Sequence, residues 1–282
     1  MKLVSPYTSS ARPVNFKFRA ARKGAKHLIV IFTSIRADRS WLDFDHDGPL
    51  LAHNRANLLW IYDNFGAEYS YYLTENRDFE IEAAVSQLIA EVIDQLGLSS
   101  NDCTMVGMSK GGSAALRLGI KCNAKNILAL TPQLAIGSYL LNRKRTAIIE
   151  YMSGNTLAPD IEWLNSLVPE VVRSDSNRDR NVYLITSPYD PHCIDYLDEV
   201  LPYFRRYSNF SLISTASDLT RNHLQTLHYN VPFVVSLLTI LAEGLAPRFG
   251  EDSNGFGFDG SGHRDKHFKL GPKHGGLLAG PG

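Results

Sequence analysis

Cysteine is scarce in this chain. Its three cysteines, Cys103, Cys122 and Cys193, are widely spaced over 282 residues and form no C-x-x-C pair. That spacing offers neither a disulfide framework nor a zinc site, and it predicts reduced, buried thiols in a cytoplasmic protein. Excess charge of one sign is missing too. Lys+Arg and Asp+Glu stand at 29 each, so nothing electrostatic suggests nucleic acid or an anionic membrane as partner. Long apolar runs are absent: Val231 to Leu245 is too short to span a bilayer and contains Pro232. The opening Met1-Lys-Leu-Val-Ser-Pro lacks the apolar segment of a secretory signal, so none is expected. The phosphate-loop pattern G-x-x-x-x-G-K-[ST] does not occur, nor does an internal repeat. What remains is an ordinary globular composition, 44% hydrophobic and 21% charged, sufficient for a full core.

What is present centres on one stretch, Asp102-Cys-Thr-Met-Val-Gly-Met-Ser-Lys-Gly-Gly-Ser-Ala-Ala-Leu116. Residues 103–106 are apolar and β-prone, and Gly112 to Leu116 reads as the start of a helix. Between them lies Gly107-Met108-Ser109-Lys110-Gly111, a G-x-S-x-G sequence. The pentapeptide alone recurs by chance in roughly one chain in ten of this size. Its setting between strand and helix is what marks a nucleophile elbow, where a serine projects from a strained turn and neighbouring side chains would collide. The following helix aims its free N–H groups at the reaction site.

The rest of the chain alternates strand and helix. Strands are predicted over Asn15–Arg19, His27–Phe32, Asn57–Tyr62, Asn126–Leu130, Asn181–Thr186 and Phe210–Ser214, several of them continuous apolar runs suited to burial on both faces. A helix over 79–96 keeps Ile81, Val85, Leu88, Ile89, Val92 and Leu96 on one face and stops at Gly97. Further helices are predicted over 194–206 and from Val231 to about Leu245. This order predicts an α/β, doubly wound, mainly parallel sheet with helices on both faces. Residues 134–180 interrupt the alternation with helical pieces, readable as a small lid insertion or as a long crossover. A domain over 1–247 is therefore expected. Residues 248–282 form a Gly-rich tail with no apolar clusters, expected to be disordered; its His263, His267 and His274 imply no metal-ligand geometry.

A serine hydroxyl needs a base to take its proton, and the base needs an acid to hold its tautomer. On an α/β sheet the order is serine, acid, histidine, with acid and base on loops after strands. Asp190, four residues past the 181–186 strand, is the expected acid; Asp175 and Asp179 precede that strand and are poorer choices. His223 is the expected base because it lies in the polar stretch after the last strand, with His228 as the alternative. His192 is expected to line the pocket. For the oxyanion, the backbone N–H of Lys110 follows the nucleophile, and the loop after strand 27–32 supplies a second donor, Ser34 by position, with Thr33 or Ile35 also in reach. The Lys110 side chain is expected to reach solvent, with an anionic substrate as the other partner open to it. This chemistry requires no cofactor and no metal.

The elbow, Asp190 and His223 in that order resemble the α/β-hydrolase superfamily over residues 15–245. Tyr62-Asp-Asn-Phe-Gly66, Tyr71-Tyr-Leu73, Gly107-Met-Ser-Lys-Gly-Gly112 and His223…Thr226…Tyr229-Asn-Val-Pro-Phe233 resemble a narrower group. These are the hydrolase-like proteins of bacterial capsule and surface-glycan loci and of accessory secretion. The resemblance implies a serine esterase or acyltransferase acting on a small-molecule or glycan ester. It also implies a second reading, a non-catalytic partner protein in glycan assembly or secretion. A peptidase or lipase is a third.

Overall fold

Short apolar strands that must be buried on both faces demand neighbours on either side and helices above and below. In the computed structural model, which describes residues 4–22, 24–35, 43–44 and 48–254, eight strands meet that demand in one sheet. They are β1 (Phe16–Arg19), β2 (Leu28–Phe32), β3 (Asn57–Ile61), β4 (Cys103–Met108), β5 (Asn126–Leu130), β6 (Asn181–Thr186), β7 (Asn209–Thr215) and β8 (Glu251–Asn254). The spatial order is β1-β3-β2-β4-β5-β6-β7-β8. β1 runs antiparallel to β3, and every other pairing is parallel. The helices are α1 (Glu80–Gln95), α2 (Lys110–Lys121), α3 (Ile136–Asn142), α4 (Thr146–Ser153), α5 (Ala158–Ser174), α6 (Pro191–Phe204) and α7 (His223–Ala242).

Alternate residues of each strand face opposite layers. Leu28, Val30, Phe32, Leu59, Ile61 and Met105 pack under α1 and α2. Ile127, Ala129, Val182, Leu184 and Leu212 continue that face under α5 and α6. Ile29, Ile31, Leu58, Trp60, Val106, Leu128 and Ile185 face the other way, onto Val234, Leu237, Leu238 and Leu241 of α7. The predicted α/β class and doubly wound, mainly parallel sheet are what the structure has. Its register positions the site. Phe32 lies beside Gly107 and Gly107 beside Ala129, so the segments leaving β2, β4 and β5 emerge level at one edge. Strand order reverses between β2 and β4, and such a switch point opens a crevice at the strands' carboxyl ends.

Three boundaries differ from expectation. α2 begins at Lys110, directly after Ser109. α7 begins at His223 and not at Val231, because the Asn222 side chain caps it by accepting from the Gln225 amide. Pro232 removes one hydrogen bond from its interior without ending it. Among the described residues α7 is the one helix long and apolar enough to cross a membrane, with 20 residues and a mean hydropathy of 1.3; its inner residues are packed on the sheet. The third difference lies past Pro247, where Glu251–Asn254 form β8 beside β7. Arg205 grips Glu251 through Nε and Nη2 at 2.6 and 2.8 Å, and the Phe249 ring meets Tyr183 and Phe233. Such an edge strand is held by backbone pairing and one ion pair, so it carries no apolar signature. Residues 255–282, with His263, His267 and His274, lie outside the described residues. The stretch 134–180 holds α3, α4 and α5 between β5 and β6.

Two predictions follow from this packing. A chain ending at Pro247 loses β8 and should melt about 2–8 °C below one ending at Asn254, taking about 1–2 kcal/mol for the strand; equal melting temperatures would remove β8 from the stability account. The second concerns His27, buried with Nε2 2.8 Å from Thr104 Oγ1. Burial pushes its pKa from 6.5 down to about 4. Between those values the unfolded chain binds a proton that the folded chain refuses, so stability is full above about 6.5 and falls as pH drops toward 4. His27→Gln should flatten that slope in denaturant melts, incompletely because His192 acts in the same direction. An unchanged slope would show that His27 is not its source.

Candidate active site

Ser109 stands at the tip of β4 with φ 55° and ψ −120°, a conformation non-glycine residues avoid. Its amide is tied to the Leu130 carbonyl at 2.9 Å. The flanking glycines are required sterically. A Cβ on Gly107 would sit 2.1 Å from the Gly111 carbonyl oxygen, and one on Gly111 would sit 2.3 Å from that of Phe32. The elbow is thus wedged between β4, α2 and the end of β2.

The structure brings three of the expected residues into one chain of hydrogen bonds. His223 Nε2 lies 2.8 Å from Ser109 Oγ, and its Nδ1 lies 2.8 Å from Asp190 Oδ2. Asp190 is fully buried, with Ser109 4% and His223 8% exposed. The second Asp190 oxygen caps α6 by accepting the His192 amide at 3.1 Å, which leaves the carboxylate little freedom to turn. His223 owes its place to the first turn of α7. His228, further along that helix, is exposed and stacks edgewise on Tyr229, outside this group. Asp175 pairs with Arg180 and Tyr207, and Asp179 with Lys125 at the surface. A thiol is a poor alternative nucleophile here, since burial pushes Cys103 up to about 12 and Cys122 up to about 11 and raises Cys193 as well.

His192 lies beside the group. Its ring meets that of His223 at 5.0 Å and that of Tyr139, on α3, at 4.8 Å. Arg143 Nη2 donates to His192 Nε2 at 2.6 Å. Burial, and then the neighbouring His223, push His192 down to about 4, so it accepts that bond as a neutral ring. Asp190, His192 and His223 bring possible metal-ligand atoms within 4.8 Å of one another. Both His223 nitrogens, however, are already engaged with Ser109 and Asp190, and a metal there would have to break that chain.

Two expectations fail. The Ser34 amide donates to Asp43 Oδ2 at 2.9 Å, and its hydroxyl bonds Asp43 Oδ2 and the Met108 carbonyl. Ser34 therefore braces the β2 loop against β4 and is not available as an oxyanion donor. The Thr33 amide is likewise spent, on the Tyr72 hydroxyl at 2.8 Å. Of the three amides in that loop, that of Ile35 donates to no acceptor among the described residues. The second failure is the Lys110 side chain, expected in solvent. It is fully buried, with Nζ 2.7 Å from Asp63 Oδ2 and lying over the Tyr69 and Tyr72 rings. Asp63 also accepts from the Ser70 amide and hydroxyl and from the Tyr71 amide, so both its oxygens are satisfied.

One residue escaped the sequence reading. Gln133, fully buried just past β5, donates from Nε2 to Ser109 Oγ at 2.7 Å. Its position after the strand next to the elbow strand, level with it in register, is the signal that could have found it.

Neither a family model nor a curated protein matches the sequence. Solved structures do. The chain is similar to the capsule O-acetyltransferase of Neisseria meningitidis serogroup A, with 18% identity and a TM-score of 0.63 over 83% of this chain and 97% of that one. It is similar to the Glycosylation Associate Protein (Gap123) complex of Streptococcus agalactiae, with 16% identity and a TM-score of 0.67 over 80% of this chain and 43% of that one. A ferulic acid esterase follows, with 9% identity and a TM-score of 0.57 over 80% and 92%. The fold is that of the α/β-hydrolases.

The Lys110–Asp63 pair yields a prediction. Removing one charge strands the other in a dry site, which costs about 3–5 kcal/mol. Asp63→Asn should lower stability by about that amount in urea melts. A loss under about 1 kcal/mol would mean that water reaches the pair.

Proposed function

We propose that this protein is a serine hydrolase or acyltransferase acting on ester bonds, with an O-acyl group on a glycan as the substrate class that its likenesses favour. One observation carries the reading: the unbroken hydrogen-bonded chain from Ser109 through His223 to buried Asp190 at a strained elbow. The named activities of the capsule acetyltransferase and the ferulic acid esterase support acyl chemistry on a fold of this kind. The three unpaired cysteines suit a cytoplasmic setting.

In this reading Ser109 Oγ attacks the ester carbonyl as its proton passes to His223 Nε2. Asp190, on Nδ1, keeps the imidazole in the tautomer whose Nε2 can accept, and then steadies the imidazolium. The tetrahedral oxyanion is met by the Lys110 amide, by its place after the nucleophile at the start of α2. The Ile35 amide is the second donor, since those of Thr33 and Ser34 are committed. Collapse expels the alkoxide, which takes the proton from His223 Nε2 and leaves the acyl group on Ser109. Water or a sugar hydroxyl then attacks, again giving its proton to His223; the first yields hydrolysis and the second transfer.

The Streptococcus likeness favours a second reading, a non-catalytic member of a glycan-assembly or secretion complex. A scaffold has no need of an aligned serine, histidine and acid, which weighs against it.

The experiment is labelling with a fluorophosphonate probe alongside p-nitrophenyl acetate turnover. The unaltered chain should label, and Ser109→Ala should lose both labelling and roughly three or more orders of magnitude in turnover while keeping its melting temperature. His223→Ala should fall comparably, whereas exposed His228→Ala should stay within about twofold. Labelling that survives Ser109→Ala would sink the catalytic reading.

A further inference from the structure

The Ser109 oxygen has two neighbours, and the triad accounts for only one. Gln133 Nε2 sits 2.7 Å from it, as close as the histidine. The carboxamide cannot be turned end for end without loss. Its Oε1 accepts from the Tyr71 hydroxyl, and burial holds the Tyr71 phenol protonated, so the NH2 end faces Ser109. The backbone around it is clamped as well: the Gln133 amide donates to Ser113 Oγ at 2.9 Å, and Ser113 Oγ donates to the Gln133 carbonyl at 2.8 Å. Tyr71 is delivered by a backbone with φ of 57°, held there by its amide's bond to Asp63.

A serine hydroxyl has one hydrogen to give and lone pairs to accept with. With an N–H of Gln133 occupying a lone pair, the hydrogen is left to point at His223 Nε2, its other partner. The same N–H has an opposite effect on the two halves of the reaction. During attack it holds electron density on the oxygen and slightly restrains the nucleophile. When the acyl-enzyme breaks down, Ser109 Oγ is the leaving group, and negative charge accumulates on the atom the N–H already touches. A donor aimed at developing charge in a dry site lowers the barrier to that step.

We propose that Gln133 is a fourth catalytic residue, whose carboxamide N–H aligns the Ser109 hydroxyl and stabilises the serine oxygen as it departs from the acyl-enzyme. The inference rests on Ser109 being the nucleophile. The bonds balance with the attacking water or sugar hydroxyl as co-reactant: its oxygen bonds to the acyl carbon as its proton passes to His223 Nε2. Then the bond from the acyl carbon to Ser109 Oγ breaks, the electron pair returns to Oγ beside the Gln133 N–H, and His223 Nε2 gives the proton back to Oγ.

The test separates acylation from deacylation by stopped-flow with p-nitrophenyl acetate, reading the burst and the steady-state rate. Gln133→Leu removes the donor, and Gln133→Glu, the same size, keeps the shape while replacing the N–H by a carboxylate that competes for the serine hydrogen. Both should slow deacylation by about tenfold to a hundredfold, the loss expected for one charge-directed hydrogen bond, with acylation in the leucine variant changed less than about fivefold. A burst near one equivalent and an acetyl adduct in intact mass spectra should appear. For Gln133→Glu the rate relative to the unaltered chain should rise as pH is lowered, because a protonated carboxyl can donate as the amide does. A packing defect would not produce that trend. If Gln133→Glu turns over and titrates like the unaltered chain while the probe still labels Ser109, Gln133 has no catalytic role and the serine reading stands. If the unaltered chain neither labels nor turns over, both fall together.

Discussion

The buried ion pair between Lys110 and Asp63 is the constraint through which the site is assembled. Two opposite charges without solvent are unfavourable unless each is fully matched. Here the carboxylate receives four hydrogen bonds, and the ammonium lies over two tyrosine rings. The pair does more than hold charge. Lys110 follows Ser109 in sequence, while Asp63 organises Ser70 and Tyr71, and Tyr71 reaches Gln133, which returns to Ser109 Oγ. The path closes on itself through side chains from four segments of the chain. Hydrophobic packing of the same volume would stabilise the fold as well, but it would not fix Tyr71 relative to Ser109.

The sheet sets the coarser geometry. Because β2, β4 and β5 end in register, the elbow, the β2 loop and Gln133 are gathered within side-chain reach at the crevice beside the strand switch point. β6 and β7 end on the same side and feed the acid and the histidine in from there. Strain at Ser109, and at Tyr71 and Tyr72 with φ of 57° and 63°, is tolerated because close-packed strands surround it. Each strained residue is over-determined by bonds to neighbouring elements.

These facts explain what could be read in the sequence. β2 to β7 and α1 announced themselves through apolar runs and one periodic face, since burial on both sides favours apolar residues, with the few polar ones there, such as Thr104 and Asn181, hydrogen-bonded. The elbow was legible because only glycine fits at 107 and 111. Asp190 could be named from chain order, and His223 from chain order and its polar stretch with His228 as the alternative; in space Asp190 and His223 meet Ser109. What escaped depends on which partner a polar group finds. Nothing in Ser34 says that Asp43 will take its amide, and nothing in Lys110 says that a carboxylate waits inside. Gln133 has no periodicity and no motif. β8 has no apolar residue, and the start of α7 was hidden because its Asn222 cap lay in a polar stretch that reads as loop.

His192 shows how the added helices between β5 and β6 touch this centre without disturbing its charge. Its ring is lodged between Tyr139 of α3 and His223, and it accepts from Arg143 just beyond α3. An imidazolium there would face the Arg143 guanidinium and the His223 ring, at a separation of 5.0 Å. Burial and those neighbours hold it neutral until about pH 4, so two like charges never have to share the space near neutrality. His192 is then a fixed apolar wall with one acceptor, and the contact between α3 and the histidine of the site does not change as pH moves through the neutral range. Any response of activity to pH in that range must come from groups other than His192.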